Sequence, residues 1–274
     1  MLHETAFAKI NLALHVRARR ADGYHAIETI FAFADDGDRL TAEPADELTL
    51  HIKGPFAAGL SAGDDNLVLR AARALRERRG ITAGARLRLD KRLPVASGIG
   101  GGSADAAATL RLLGRLWDVA VPDGLAGELG ADVPACLLSR TSWAEGRGWP
   151  LVPLDAPQLT GMPLLLANPG VPLSTARIFG RWDGVDRGPL GRDNPLATAI
   201  AARNDLQPPA EAEAPAVGAL VALLAAQPGV VLARMSGSGA TCFALFDRAE
   251  DRDRAQAAVH AVRPRDWTMA ARLV

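Results

Sequence analysis

Hydrophobic and polar side chains alternate along the start of the chain with the two-residue period of a β-strand. In residues 5–17, one set of alternate positions holds Ala6, Ala8, Ile10, Leu12, Leu14 and Val16, and the other holds Thr5, Phe7, Lys9, Asn11, Ala13, His15 and Arg17. The first set is uniformly apolar, so the pattern predicts a strand with one buried face. Lys9 and Asn11 share the opposite face.

The same reasoning predicts the elements that follow in the N-terminal half. Strands are predicted at residues 24–34, 47–53 and 85–93, and helices at residues 67–79 and 103–117. A further helix is indicated at residues 123–129, whereas residues 142–153, rich in Gly, Trp and Pro, are typical of turns. This half is therefore predicted to mix strands and helices.

The second half predicts a smaller α+β arrangement. Strands are indicated at residues 163–167, 230–235, 241–247 and 268–274, and helices at residues 217–226 and 249–262. Residues 183–195, rich in Gly, Pro, Asp and Arg, predict a mobile loop. Because residues 153–162 look like a boundary, we expect an N-terminal ATP-binding domain over residues 1–157 and a C-terminal domain over residues 158–274.

Composition narrows the class of protein. The 31 basic and 31 acidic residues cancel to a formal net charge of +0, so there is no basic excess for nucleic acid. The longest apolar run, residues 214–226, is too short to span a membrane, and charges come too early for a signal peptide. Cys136 and Cys242 lie in apolar runs without metal-binding spacing, which predicts buried thiols in a reducing compartment. We therefore expect a cytoplasmic protein that binds neither nucleic acid nor membrane. The sequence gives no indication of its oligomeric state.

A glycine-rich stretch, P-V-A-S-G-I-G-G-G-S-A-D-A-A-A-T-L at residues 94–110, directly precedes a helix. Glycines let backbone N–H groups approach an anion closely, and a helix start adds unpaired N–H groups and a positive dipole end. Ser103 and Asp105 lie in or near the first turn, where such side chains also cap the backbone. The stretch alone leaves two interpretations open: a phosphate-binding loop, or a tight strand-to-helix turn without a ligand.

Neither of two familiar nucleotide motifs fits this stretch. No lysine follows the glycines, as a Walker A loop requires, and Ser103 stands where the dinucleotide fingerprint has its third glycine.

Three stretches in order resemble the motifs of the GHMP kinases. They are A-F-A-K-I-N-L-A-L-H-V at residues 6–16, the glycine stretch, and R-M-S-G-S-G-A-T-C-F-A-L-F at residues 234–246. The resemblance implies a two-domain α+β fold, with an N-terminal domain like domain 2 of ribosomal protein S5 and a ferredoxin-like C-terminal domain. Ile99 and Ala104 depart from the usual Leu and second Ser of the glycine motif. Ala104 removes a hydroxyl that could have met phosphate or magnesium, so any hydroxyl role in this loop passes to Ser103.

Further stretches resemble the family members that act on a cytidine diphosphate conjugate of a branched sugar alcohol. These are R-A-D-G-Y-H at residues 20–25, D-N-L-V-L-R-A-A at 65–72, L-G-A-D-V-P at 129–134 and N-P-G-V-P-L-S-T-A-R-I-F at 168–179. The resemblance implies transfer of the γ-phosphoryl group of ATP, with Mg²⁺, to a tertiary alcohol of that small molecule. It places the reaction in the non-mevalonate route to isoprenoid precursors.

Two alternatives remain: a GHMP kinase for homoserine or mevalonate compounds, and a nucleotide-binding regulator without catalysis. Tyr24, His25 and the triple glycine disfavour the first, and the presence of both Lys9 and Asp132 disfavours the second.

The resemblance also assigns residues to the catalytic step. Asp132 matches the family's catalytic base, although its sequence context also fits a helix N-cap or the buried partner of an arginine. Lys9 matches the lysine that acts with this base, although a lone strand lysine is more often solvated. Asn11 would orient the substrate hydroxyl, or else form an ordinary strand-edge hydrogen bond.

Binding residues follow from the same resemblance. Tyr24 and His25 match the cytidine pocket, with Phe179 as a second aromatic wall or as ordinary core packing. Asn66 would contact adenine or cap a helix. The expected ATP-binding loop comprises Pro94, Val95, Ala96, Ser97, Gly98, Ile99, Gly100, Gly101, Gly102, Ser103 and Ala104. Residues 236–241 are given a supporting role; Asn204, Asp205 and the magnesium ligands receive no assignment.

Overall fold

A computed structural model describes residues 1–274. Contacts within the chain divide it into two compact units, each built from separate segments. Unit 1 comprises Met1–Ala8, Asp36–Val95 and Gly100–Ser139, and unit 2 comprises Lys9–Asp35, Ala96–Ile99 and Arg140–Val274. The contiguous division at residue 157 stays a prediction.

Ten strands and nine helices follow one another along the chain. The strands are β1 (Leu2–Arg19), β2 (His25–Ala45), β3 (Leu48–Lys53), β4 (Gly84–Asp90), β5 (Ser142–Gly146), β6 (Leu151–Pro153), β7 (Pro163–Asn168), β8 (Val230–Met235), β9 (Cys242–Phe246) and β10 (Trp267–Arg272). The helices are α1 (Leu67–Arg78), α2 (Gly101–Leu116), α3 (Leu125–Leu129), α4 (Val133–Leu138), α5 (Thr175–Gly180), α6 (Pro195–Ala201), α7 (Gln207–Glu213), α8 (Pro215–Ala225) and α9 (Ala249–Val262). No helix combines the length and the apolar character that a membrane crossing would require.

Unit 1 packs helices beside a small group of strands. β3 runs parallel to β4 from Leu48↔Ala85 to Lys53↔Asp90, and β4 pairs antiparallel with the second half of β2. α1 packs against α2, and α2 also packs against α4. α2 is buried without interruption from Ala104 to Leu110, a pattern typical of a helix enclosed by its neighbours. Its alanines let those neighbours come close.

Unit 2 contains a four-stranded antiparallel sheet in the order β10-β7-β9-β8. Its apolar core gathers residues from this sheet, from β1 and from the helices of the second half. The core includes Leu14, Val16, Leu165, Ile178, Trp182, Leu220, Phe246 and Val259. In the same unit, the first half of β2 pairs antiparallel with β5, from Ile27↔Gly146 to Phe31↔Ser142.

Most predicted elements are confirmed, and the differences have physical reasons. The prediction of turns over residues 142–153 was wrong for residues 142–146 and 151–153, because pairing with β2 makes the first segment the strand β5, which in turn pairs with β6. Residues 147–148 between the two strands do form a turn. Helices α4 to α7 were missed because six or seven residues are too few to display a helical period. α2 begins at Gly101 rather than Ser103, because the last two glycines of the triple glycine already belong to its first turn.

The prediction that β1 has one buried face was wrong for its central part. Residues 8–16 are buried at every position, including Lys9 at 3% exposure and Asn11 at 2%. Buried polar side chains require hydrogen-bond partners, and unit 2 supplies them, as described below. Neither Cys136 nor Cys242 forms a disulfide, and both are buried, as expected. No helix or strand falls between Arg181 and Asn194, which confirms a loop there, while its mobility stays a prediction.

Candidate functional site

Residues 97–99 of the glycine loop, which belong to unit 2, accept hydrogen bonds from that unit at three successive carbonyl groups. The Thr241 N–H donates to Ser97 O at 3.0 Å, the Ser236 hydroxyl donates to Gly98 O at 3.0 Å, and the Lys9 N–H donates to Ile99 O at 3.0 Å. These bonds use the carbonyl side of the loop and none of its own N–H groups. The pairing therefore suits a loop whose N–H groups are meant for an anion.

Gly98 is required for two separate reasons. Its φ of +78° lies in the left-handed region that favours glycine. In addition, a Cβ atom at this position would lie 2.4 Å from Ser236 O and 2.8 Å from Gly239 N. The turn after β8 thus packs directly on the loop, which agrees with the supporting role expected for residues 236–241.

The start of α2, in unit 1, carries no side-chain cap. Its N-cap is Gly100, with φ +66°, and the first turn contains no acidic residue. The first N–H groups of a helix lack partners within the helix, so this end offers donors to an anion. Ser103 is half-buried there, and Ala104 is buried. The suggestion that Asp105 caps this turn was wrong, because its carboxylate instead accepts a hydrogen bond from Lys91 Nζ at 2.6 Å.

The side chains of Lys9 and Asn11 on β1 begin a connected series of buried hydrogen bonds. Lys9 Nζ donates to Asn11 Oδ1 at 2.9 Å and lies 5.2 Å from the centre of the Phe31 ring. Asn11 Nδ2 donates to Thr29 Oγ1 at 2.8 Å, and the Thr29 hydroxyl donates to Ala13 O at 2.6 Å. Lys9 is therefore not a solvated strand lysine. Thr29 was missed, because a threonine in an alternating strand gives no signal of its own.

Ser236 and Asn204 hold the turn after β8, which lies next to Asn11. Ser236 Oγ accepts from the Asn11 N–H at 3.1 Å, in addition to its bond to Gly98. Asn204 Nδ2 donates to both Met235 O and Gly237 O at 2.8 Å. Asn204 thereby braces the turn after β8, a role that sequence reasoning did not derive.

Asp205, the neighbour of Asn204, acts on β1 instead. Its Oδ2 accepts from the Val16 N–H at 2.8 Å, and its own N–H donates to Leu14 O at 2.8 Å. Asp205 therefore supports the strand that carries Lys9 and Asn11, whereas Asn204 supports the turn after β8.

Asp132, in unit 1, occupies the N-cap position of α4. Its side chain makes no cap hydrogen bond, and Pro134 occupies the first turn of that helix. Since an N-cap acid normally accepts from the backbone N–H of the first turn, the capping interpretation describes only its backbone position. The half-buried carboxylate is not engaged by the helix that it precedes.

Asn66, also in unit 1, behaves as the capping alternative predicted. Its Oδ1 accepts from the Val68 N–H at 2.9 Å at the start of α1, and its Nδ2 donates to Ser61 O at 2.7 Å. A contact between Asn66 and adenine stays a prediction.

An aromatic cluster surrounds His25 in unit 2. Its ring lies 5.1 Å from that of Phe179 and 5.8 Å, edge-on, from that of Trp182. Burial, with a smaller contribution from Arg19, lowers the pKa of His25, which favours the neutral ring. Its Nε2 is buried without a hydrogen-bond partner. Trp182 was missed, although its position three residues after Phe179 was an available signal.

Tyr24 lies beside this cluster in sequence but remains 51% exposed. The Arg147 guanidinium lies 3.6 Å from the centre of its ring, a close cation–π contact. Arg147 was missed, because it stands in the G-R-G-W segment of the stretch that was interpreted as turns. The contact keeps the ring in place at the surface.

Comparison with known proteins identifies the family. Residues 66–140 match the GHMP kinases N terminal domain and residues 190–265 match the GHMP kinases C terminal domain, together more than half of the chain. This chain belongs to the GHMP kinases. It is therefore a two-domain kinase of mixed α/β content, and ATP is the phosphoryl donor that this family implies.

Close relatives of this GHMP kinase share nearly its whole length. A protein of Rhizorhabdus wittichii named 4-diphosphocytidyl-2-C-methyl-D-erythritol kinase is 58% identical, over 98% of this chain and 94% of its own. A protein of Sphingopyxis alaskensis with the same name is 54% identical, over 99% of this chain and 98% of its own.

Solved structures similar to this chain are also those of GHMP kinases. A crystal structure of 4-(cytidine 5'-diphospho)-2C-methyl-D-erythritol kinase is 36% identical, with a TM-score of 0.81 over 99% of both chains. Homoserine kinase from Cytophaga hutchinsonii is 15% identical, with a TM-score of 0.69 over 97% of both chains, which supports the fold alone.

Replacing Gly98 by alanine tests the loop packing. We expect Gly98→Ala to weaken ATP binding at least about tenfold, because the new methyl group displaces the loop from Ser236 and overpacking typically costs about 1–3 kcal/mol. Calorimetric titration with a non-hydrolysable ATP analogue measures the affinity, and the melting temperature monitors folding.

Gly161→Ala is the matched control, because Gly161 also has a left-handed φ of +77° but no atom within 4 Å of the added Cβ. It should leave ATP affinity unchanged. Equal losses of affinity in the two variants would contradict a specific role of the loop packing.

Proposed function

We propose that this kinase transfers the γ-phosphoryl group of ATP to the 2-hydroxyl of 4-diphosphocytidyl-2-C-methyl-D-erythritol, giving the 2-phosphate and ADP. Relatives at 58% and 54% identity over nearly the whole chain carry the name of this activity. The reaction belongs to the non-mevalonate route to isoprenoid precursors. The two thiols, which form no disulfide, fit a cytoplasmic location.

The observation that best supports a cytidine substrate is the unpartnered Nε2 of His25. A buried polar atom without a hydrogen bond is unfavourable, so a base edge that pairs with this nitrogen would gain free energy on binding. The neutral ring can donate or accept at Nε2 according to its tautomer. Phe179 and the exposed ring of Tyr24 supply faces of the kind on which an unpaired pyrimidine stacks.

Catalysis requires positioning, charge stabilisation and an acceptor for the hydroxyl proton. In the proposed step, the 2-hydroxyl oxygen forms a bond to the γ-phosphorus and the bond to the β–γ bridging oxygen breaks. ADP leaves, and the hydroxyl proton passes to the carboxylate of Asp132. The proposed role fits a carboxylate that caps no helix.

Lys9 contributes positive charge in this proposal. Its ammonium group is removed from water and oriented by Asn11, and a fixed cation in a dry site stabilises developing phosphoryl charge more than a mobile one in water. Asn11, held in turn by Thr29, would orient the acceptor hydroxyl.

ATP phosphates would lie on the N–H groups of the glycine loop and of the first turn of α2. Magnesium is expected with ATP, and it usually takes most of its ligands from phosphates and water. The structure contains no group of three or more His, Cys, Asp or Glu side chains that could hold a metal ion. Ser103 is the hydroxyl that we expect to contact phosphate or the metal ion.

A substrate panel tests the proposed activity. ADP release is coupled to a spectrophotometric assay with the cytidine conjugate, mevalonate or homoserine as acceptor, and without acceptor. We expect robust turnover with the cytidine conjugate alone. Turnover with mevalonate or homoserine, but not with the conjugate, would overturn the proposal, and nucleotide binding without any turnover would indicate a regulator.

The proton acceptor is tested by Asp132→Asn. We expect kcat to fall by about 10²–10⁴, because general base catalysis contributes rate enhancements of that order, while both substrates still bind. The control Asp123→Asn removes an exposed carboxylate from the same unit and should leave kcat unchanged. Turnover of Asp132→Asn within a few-fold of wild type would exclude Asp132 as the base.

The cytidine end is tested by Tyr24→Ala. Loss of one stacking face should raise KM for the conjugate about 10- to 100-fold, since stacking contributes about 1–3 kcal/mol per base, and should leave KM for ATP unchanged. Tyr24→Phe keeps the ring and should behave like wild type. An unchanged KM for the conjugate combined with impaired ATP binding would show that the two pockets are assigned in reverse.

A further inference from the structure

Three charged side chains form a fully buried cluster in unit 1. Lys91 Nζ donates to Asp38 Oδ2 at 2.5 Å and to Asp105 Oδ2 at 2.6 Å. Exposure is 3% for Lys91, 0% for Asp38 and 4% for Asp105. The catalytic proposal above uses none of the three.

The cluster ties down the glycine loop at both of its ends. At the entry, Asp38 Oδ1 accepts from the backbone N–H groups of Arg92 at 2.5 Å and Leu93 at 2.8 Å, just before the loop starts at Pro94. At the exit, Lys91 binds Asp105 in the second turn of α2. A Cβ atom at Gly101, the first residue of α2, would lie 3.1 Å from Lys91 Nζ. One ammonium group therefore fixes the spacing between entry and exit.

We do not expect this cluster to contribute much to the free energy of unfolding. Removing charges from water is expensive, and well-packed apolar residues often replace buried ion pairs without loss. Burial raises the pKa of Asp105 to about 7, and the adjacent Asp38 adds to the rise while Lys91 opposes it. Burial alone would lower the pKa of Lys91, but the two carboxylates raise it. The hydrogen bonds that the cluster makes before and after the loop suit it instead to setting the loop's geometry.

We propose that Lys91 is a positioning residue of the nucleotide site. By bridging Asp38 and Asp105, it holds the start of α2, with its first N–H groups, at a fixed distance from the Arg92–Leu93 segment that leads into the loop, and so determines nucleotide affinity. It touches neither substrate nor the reacting atoms. The inference rests on the proposed role of this loop in holding the phosphates of ATP.

The test compares Lys91→Met with the control Lys53→Met, which removes an exposed lysine from the same unit. Calorimetric titration with a non-hydrolysable ATP analogue gives nucleotide affinity, and steady-state kinetics give kcat and the acceptor KM. We expect Lys91→Met to weaken nucleotide binding about tenfold or more, because charged hydrogen bonds are lost. The acceptor KM and kcat at saturating ATP should stay within about threefold, and Lys53→Met should match wild type.

Two further variants keep the proposal falsifiable if the first one folds poorly. Asp105→Asn retains an acceptor for Lys91 and should preserve affinity, whereas Asp105→Leu removes it and should weaken binding as Lys91→Met does. The double variant Lys91→Met, Asp105→Leu removes both charges at these positions, while Asp38 keeps its bonds from the Arg92 and Leu93 N–H groups. It should bind no more weakly than either single variant, because all three break the same bridge.

The possible failures can be told apart. A fall in melting temperature without a change in nucleotide affinity would mean that the cluster is merely structural and would overturn the inference. If Gly98→Ala weakens nucleotide binding and Lys91→Met does not, the inference fails alone. If neither variant weakens binding, the proposed role of the loop fails as well.

Discussion

The hydrogen bond from the Lys9 N–H to Ile99 O is the constraint on which the candidate site of unit 2 depends. It joins the strand that carries the buried ammonium group to the loop that carries the glycines. Because a backbone bond fixes its two partners to within a few tenths of an ångström, the Lys9 side chain and the loop cannot be positioned independently. Ser236 adds a second link, since its hydroxyl bonds both Asn11 N–H and Gly98 O. The turn after β8, far along the chain, thereby aligns β1 with the glycine loop.

The two buried lysines of the chain, Lys9 and Lys91, have different surroundings. Lys9 is paired through an amide oxygen and the face of an aromatic ring. Lys91 sits between two carboxylates and is thereby neutralised by its surroundings. The two carboxylates largely cancel the attraction of the Lys91 ammonium group for an incoming anion. This agrees with assigning Lys91 to loop geometry and not to phosphoryl chemistry.

How much the sequence could predict differs between fold and site. Periodicity found α9 at its observed bounds and α1, β8 and β9 to within a residue, because each carries a full repeat of apolar positions. It failed for β5, whose Ser142–Gly146 segment is a strand only through its pairing with β2. The site residues Lys9, Asp132 and His25 were indicated by resemblance to a family, not by pattern. The roles of Thr29, Arg147 and Asn204 could not be derived, because they arise from contacts with residues distant in sequence.

The identity of the phosphorylated atom tests the central claim most directly. Incubation of the protein with ATP, Mg²⁺ and the cytidine conjugate, followed by proton-coupled ³¹P NMR of the product, reports the type of alcohol that received the phosphoryl group. Transfer to the tertiary 2-hydroxyl predicts a new phosphomonoester singlet, because the carbon that bears the oxygen carries no proton, beside the unchanged diphosphate signals. A new phosphomonoester signal split by carbinol protons, or no new signal at all, would contradict the account.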